Sequence, residues 1–143
     1  MKKNYKSFLP LLLCLILAFC IGGCGSNTKN SDLWANAAYT EDTEFGEGNV
    51  TIQAEVKVNE NDITFTIHTD TTTLGDALLE HSLIAGDDGE YGLYVKEVNG
   101  IQADYDTDKA YWAFYKDGEY LTTGVDSANI TDGEHYEIVY TQE

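Results

Sequence analysis

Val50-Thr51-Ile52-Gln53-Ala54-Glu55-Val56-Lys57-Val58, and after Asn59-Glu60-Asn61-Asp62 the run Ile63-Thr64-Phe65-Thr66-Ile67-His68, decide the reading of this chain. In the first run apolar residues occupy every even position and polar ones every odd position. A period of two puts Val50, Ile52, Ala54, Val56 and Val58 on one face of a half-buried strand. The second run repeats the pattern with Ile63, Phe65 and Ile67. Asn and Asp in the intervening tetrapeptide favour a tight turn, so the pair predicts a meander hairpin with one wet face.

Downstream the period changes. Thr73-Leu74-Gly75-Asp76 has the spacing of a capping box, and Leu74, Ala77, Leu78 and His81 then fall at i, i+3, i+4 and i+7. This predicts one helix over 74–85, with Gly86 as the left-handed residue that ends it. Asp87 to Glu90 reads as a loop, Tyr91 to Val98 as a strand, Asn99-Gly100 as a tight turn, and Ile101 to Lys109 as an acidic loop. Tyr111–Lys116 and Glu119–Thr122 flank Asp117-Gly118, the dipeptide that best tolerates positive φ at both centres of a hairpin turn. A last strand runs through Tyr136, Ile138 and Tyr140. Two strands, a helix, then several strands is an α+β arrangement, with a mixed or antiparallel sheet and one helix packed on it.

Upstream, residues 24–48 are polar and read as a flexible tether, which as a coil would average roughly 25–30 Å end to end. Within it Leu33, Trp34, Ala35, Ala37 and Ala38 form one apolar turn. The chain begins with Lys2, Lys3 and Lys6, then an almost unbroken apolar run from Phe8 to Phe19, then Ile21-Gly22-Gly23-Cys24. A basic start and a short apolar run read as an export signal that is removed. The small residues closing on cysteine resemble the bacterial lipobox. That resemblance implies cleavage after residue 23 and a lipidated Cys24, and hence an extracytoplasmic, membrane-anchored location.

Charge and cysteine content narrow the function. Cys14, Cys20 and Cys24 are the only cysteines, so the mature chain has no disulfide and no thiolate metal site. Past residue 23 there are five lysines, no arginine and twenty-five carboxylates, a net −20. Such a surface repels nucleic acid and anionic headgroups, so membrane attachment falls to the lipid.

Read in order, Asp76-Ala77-Leu78, Tyr91-Gly92-Leu93-Tyr94-Val95, Val98-Asn99-Gly100-Ile101, Tyr111-Trp112-Ala113-Phe114-Tyr115, Asp117-Gly118-Glu119, Gly124-Val125 and Asp132-Gly133-Glu134 resemble the transcobalamin-like C-terminal domain, a family of unknown function (DUF4430) of bacterial surface proteins. The resemblance spans about Val50 to Gln142, and the folded domain is taken as 49–143. It implies a β-grasp-like fold and kinship with the smaller domain of the animal cobalamin carriers transcobalamin and intrinsic factor, which helps enclose cobalamin. The large helical domain of those carriers has no counterpart here. Glu134-His135-Tyr136 also departs from the family pattern.

Catalytic and metal chemistry find little support. Asp104, Asp106 and Asp108 alternate as a calcium loop begins, but Lys109 and Tyr115 stand where its glycine and bidentate glutamate belong. His68, His81 and His135 have no ligand spacing, and no serine sits in a Gly-x-Ser-x-Gly context. The chain therefore reads as a binding protein, not an enzyme, with no cofactor and no metal. Trp112 and Phe114 are expected to lie largely inside, stacked on the helix. Tyr91, Tyr94, Tyr111, Tyr115 and Tyr120, with Trp112, are the ligand-binding candidates, because tyrosine offers apolar area at low entropic cost. The expected function is capture of a small ligand, a cobalamin or other corrinoid by resemblance, for a membrane transporter. A contact with another surface protein is the alternative.

Overall fold

A computed structural model describes residues 33–143. The signal segment, Cys24 and the first part of the tether lie outside the described residues. The fold is α+β, with two open sheets. The larger holds six strands and the smaller three.

The opening hairpin is as the alternation predicts. Strand β2 (Val50–Val58) pairs antiparallel with β3 (Asn61–Thr69), and Ile52, Ala54, Val56, Val58, Phe65 and Ile67 are fully buried. Strand β9 (His135–Gln142) lies parallel to β2 and places Tyr136 and Ile138 beside Ala54 and Val56, extending the buried face. Strand β7 (Ala110–Lys116) runs antiparallel to β9, and β8 (Glu119–Tyr120) closes the edge. The turn between them has φ 48° at Asp117 and 83° at Gly118, the positive pair that Asp-Gly predicts.

Helix α1 (Leu74–Leu79) starts as expected, with Thr73 Oγ1 accepting from Asp76 N at 3.2 Å. It ends earlier than its sequence pattern suggests. Ser82, not Gly86, takes the left-handed conformation (φ 56°), while Ser82 N bonds Leu79 O and Leu83 N bonds Leu78 O. That double return is the Schellman pattern. The chain then becomes strand β4 (Ile84–Gly89), where the sequence reading had helix and loop. Gly86 serves this strand instead: a Cβ there would stand 1.9 Å from Tyr94 O across the bulge between Ala85 and Gly86. Strands β5 (Gly92–Val98) and β6 (Ile101–Gln102) complete the small sheet. The expected acidic loop over 101–109 contains β6 and a one-turn helix α2 (Tyr105–Asp108), capped by Asp104 through Asp106 N and Thr107 N.

Part of the expected tether is also structured. Leu33–Asn36 forms a 3-10 turn, and Thr43–Gly46 is strand β1, parallel to β3. Only one apolar residue, Phe45, marks β1 in the sequence. Its ring packs with Tyr39 (5.3 Å) and with Phe65 (5.7 Å) of β3, and it is the pairing with that distant strand that a local pattern does not show. Between the turn and β1, Asn99 clamps the segment. Its Oδ1 accepts from Tyr39 N and its Nδ2 donates to Tyr39 O, both at 2.9 Å.

Candidate functional site

Alternation along β7 sorts the aromatic residues. Trp112 and Phe114 share the buried side with Ile138 and Tyr140, while Tyr111 and Tyr115 lie on the opposite, open side with Glu137 and Thr141 as cross-strand partners. Trp112 is 6% exposed, as expected, whereas Phe114 is only partly buried. Strand β5, rather than helix α1, packs against β7. The sequence pattern suggests the helix there because β4 and β6, which make β5 part of a sheet, carry little apolar signal.

Where β5 crosses β7 the two sheets leave a groove of about 200 Å³, lined by Tyr94, Trp112, Phe114 and Tyr120 with Leu93 and Leu121 among its walls. Three of the six candidate residues, Tyr94, Trp112 and Tyr120, line it, but only Trp112 lies on the face of β7 that the small sheet crosses; Tyr120 pairs in register with Tyr115 and shares the opposite face. Tyr94 and Tyr120 are 47% and 58% exposed at the margin of the groove, and the Tyr120 ring meets Tyr115 edge-on at 5.5 Å. Trp112 forms the inner wall, its indole edge-on to Tyr140 at 5.5 Å. Burial, with Asp108 nearby, pushes the Tyr140 hydroxyl above the ordinary tyrosine value. Among the described residues the Trp112 indole N–H has no acceptor.

The other candidates stand apart. Tyr91 sits at the tip of the β4–β5 hairpin, 88% exposed. Tyr111 and Tyr115 occupy the open face, Tyr111 with Tyr105 at 6.5 Å. Leu93, Phe114 and Leu121 are groove residues that sequence reasoning missed. Nothing local distinguishes them from core, since the groove arises from one sheet crossing the other.

Two features hold the groove in shape. Asp126 Oδ2 accepts from Leu93 N at 2.8 Å, fixing the start of β5 to the 3-10 turn Val125–Ser127. On the same face of β5 as Tyr94, Lys96 bonds Asp87 at 2.6 Å and lies 5.8 Å from the Tyr94 ring centroid. Asp87 thereby keeps the Lys96 ammonium above its usual value.

The histidines serve the large sheet. His68 bridges Thr51 and Glu44, while His135 meets Glu55 at 3.1 Å beside the Glu55–Lys57–Glu137 ion pairs. His81 stacks on Phe45 at 5.0 Å. Among the described residues no three His, Cys, Asp or Glu side chains are grouped to hold a metal ion.

Residues 71–142 match the family model described as Domain of unknown function (DUF4430). The chain belongs to this family. The match begins at the helix and ends in the last strand, so it contains every groove residue of this DUF4430 chain. Among solved structures, a candidate metal binding protein from Ruminococcus gnavus ATCC 29149 is 29% identical with a TM-score of 0.63, over 66% of this chain and 99% of that one. Haptocorrin in complex with Cbi is 21% identical with a TM-score of 0.51, over 68% of this chain and 26% of haptocorrin. The second likeness is one of fold, to about a quarter of the larger protein. No curated protein matches the DUF4430 chain in sequence.

Proposed function

We propose that this chain is a lipid-anchored, extracytoplasmic binding module that holds a small ligand, corrinoid in class, at the aromatic groove and passes it to a membrane transporter. The observation that carries this reading is the concavity where β5 of one sheet crosses β7 of the other, with Trp112 and Phe114 as its aromatic wall and Tyr94 and Tyr120 at its margin. Concave sites with aromatic walls are where small molecules bind. The likeness to a Cbi-bound protein supports the ligand class, and the signal-like start and Cys24 support the anchor.

The groove also limits how such a ligand is held. About 200 Å³ is below the ~300–1,000 Å³ of sites that enclose drug-sized molecules. A corrinoid would rest an edge or a side arm in it and need a second body to cover the rest. The module is therefore half of a clamp, and the transporter is the partner placed to supply the other half.

Titration of the full chain with cobinamide, followed by absorbance, tests the reading. Saturable spectral change that Tyr94→Ala weakens is expected. An unchanged spectrum up to millimolar ligand would remove the corrinoid assignment. Palmitate labelling that disappears in Cys24→Ala is the expected result for the anchor.

The alternative, a contact with another surface protein, would use the open sheet face, where Tyr111 and Tyr115 are half-buried beside Tyr105 and Tyr120.

A further inference from the structure

We infer that the groove between β5 and β7 selects a neutral hydrogen-bond acceptor, a carboxamide oxygen, and that the Trp112 indole N–H is the donor that reads it. This rests on the reading of the groove as the ligand site and adds the chemistry of what enters.

Three observations converge. First, the space between the sheets is apolar. Leu93 and Val95, on the face of β5 opposite Tyr94, line it from one sheet, Trp112 and Phe114 from the other, and Leu121 and Val125 complete it. Second, one polar group in these walls is left over. Trp112 is 6% exposed, its indole nitrogen is buried, and its N–H has no acceptor among the described residues. An indole nitrogen can only donate, and a buried donor without a partner is costly. Buried polar groups are nearly always paired, so an orphan in the wall of a concavity points to a partner that arrives with a ligand. Third, the surroundings decide the charge of that partner. Among the described residues no charged side chain lines the groove. Lys96 of β5 and Lys116 of β7 are bonded to Asp87 and Glu134. With eight Lys and Arg against twenty-five Asp and Glu in the whole chain, the surrounding field expels anions.

The acceptor is therefore strong but uncharged. A carboxylate would surrender its hydration to apolar walls with no cation to answer it. A hydroxyl carries a donor on the accepting atom and would bury that donor unpaired. A carboxamide separates the two: its oxygen enters and its nitrogen stays at the open margin in water. About 200 Å³ suits one such arm rather than a whole ligand, and cobinamide carries several. Phe114 and Leu121 are only partly buried, and they are the walls that shift as the arm enters and reaches the covered nitrogen.

Propionamide and propionate, alike in shape and unlike in charge, separate the possibilities. The full-length chain in a maltoside detergent, isotope-labelled at its two tryptophans, gives two indole N–H resonances, and Trp34→Phe assigns that of Trp112. Propionamide should move the Trp112 indole proton downfield and saturate, and propionate should not. Cobinamide, followed in parallel by absorbance, should move the same proton. Trp112→Phe keeps a ring in the wall and removes the donor, so it should raise the cobinamide Kd about fivefold, the scale of one neutral hydrogen bond. Should that variant not fold, the indole resonance of the unaltered chain decides. An indole proton that neither amide moves would overturn the inference and leave the Tyr140 ring, 5.5 Å away, as its resident partner. Equal effects of propionamide and propionate would sink it too, as would a folded Trp112→Phe chain that binds cobinamide normally. Cobinamide binding with the indole proton unmoved leaves the ligand-module reading standing and overturns this one. An indole shift with propionamide alone supports this inference and removes the corrinoid class, and silence toward both overturns both.

Discussion

Replacing Tyr136 by Phe removes one oxygen from the centre of the large sheet and isolates one interaction. Tyr136 is fully buried, and its hydroxyl donates to Glu134 Oε2 at 2.5 Å. Glu134 also accepts from Thr131 N at 2.9 Å and pairs with Lys116, so its carboxylate keeps two partners in the variant. The ring remains and no cavity forms. A hydrogen bond to a charged group contributes ~1.5–3 kcal/mol, and the surviving partners place the loss at the low end, about 1.5 kcal/mol. For a domain near 100 residues that is a fall in Tm of roughly 6–10 °C. The pH dependence sharpens the test. Burial opposes charge on Glu134, yet Lys116, Tyr136 and the Thr131 amide together hold its carboxyl below the ordinary value. A depressed folded pKa stabilises above the unfolded value, ~4.3, and that stability is lost as pH falls through the folded value. The deficit of Tyr136→Phe should therefore shrink as pH falls from 7 toward 3. At the alkaline end, burial and then Glu134 raise the Tyr136 hydroxyl well above its ordinary value. Its stabilisation is complete below pH ~10 and declines above it, a loss the variant should lack. Urea denaturation at pH 3, 7 and 10.5, comparing midpoints at constant slope, measures all three. A pH 7 loss under ~0.5 kcal/mol, or one that is the same at pH 3, would refute the reasoning.

Further expectations follow from single contacts. Asn99→Ala removes both bonds to Tyr39 and puts alanine at φ 51°, so it should cost ~2–3 kcal/mol and raise amide exchange in Thr43–Gly46 first. Gly86→Ala forces a methyl toward Tyr94 O and should destabilise by more than ~2 kcal/mol by thermal denaturation, displacing the groove wall with it. Phe65→Ala, fully buried in β3, should cost ~3–5 kcal/mol in urea titration. Tyr91→Ala, at the exposed hairpin tip, should change stability by less than ~0.5 kcal/mol in the same assay.

What the sequence disclosed depended on how local the determinant was. β2 was legible to the residue, and β3 apart from Asn61, Asp62 and Thr69 at its ends, because one face of each is buried and the other wet. The β7–β8 turn was legible because Asp-Gly carries its own backbone preference. β4 was not, since Ala85 to Gly89 are exposed and its strand geometry comes from pairing with β5. The end of α1 was misplaced because Ser82 adopts a conformation that glycine was expected to supply. At the site, composition singled out Tyr94, Trp112 and Tyr120. It could not separate Trp112 from Tyr111 and Tyr115, because that division depends on which side of β7 the small sheet crosses.

The parallel pairing of β1 with β3 bears on how the domain can be cut out for study. Alternation in the sequence suggests beginning a recombinant protein at residue 49. Such a chain would lack Tyr39 and Phe45, the two rings that cover Phe65, and would leave the outer backbone groups of β3 unpaired along Phe65 to His68. An uncovered edge beside an apolar ring is a template for intermolecular strand addition. Starting at Leu33 keeps that edge capped, so aggregation of the shorter protein would reflect its boundary and not its ligand chemistry.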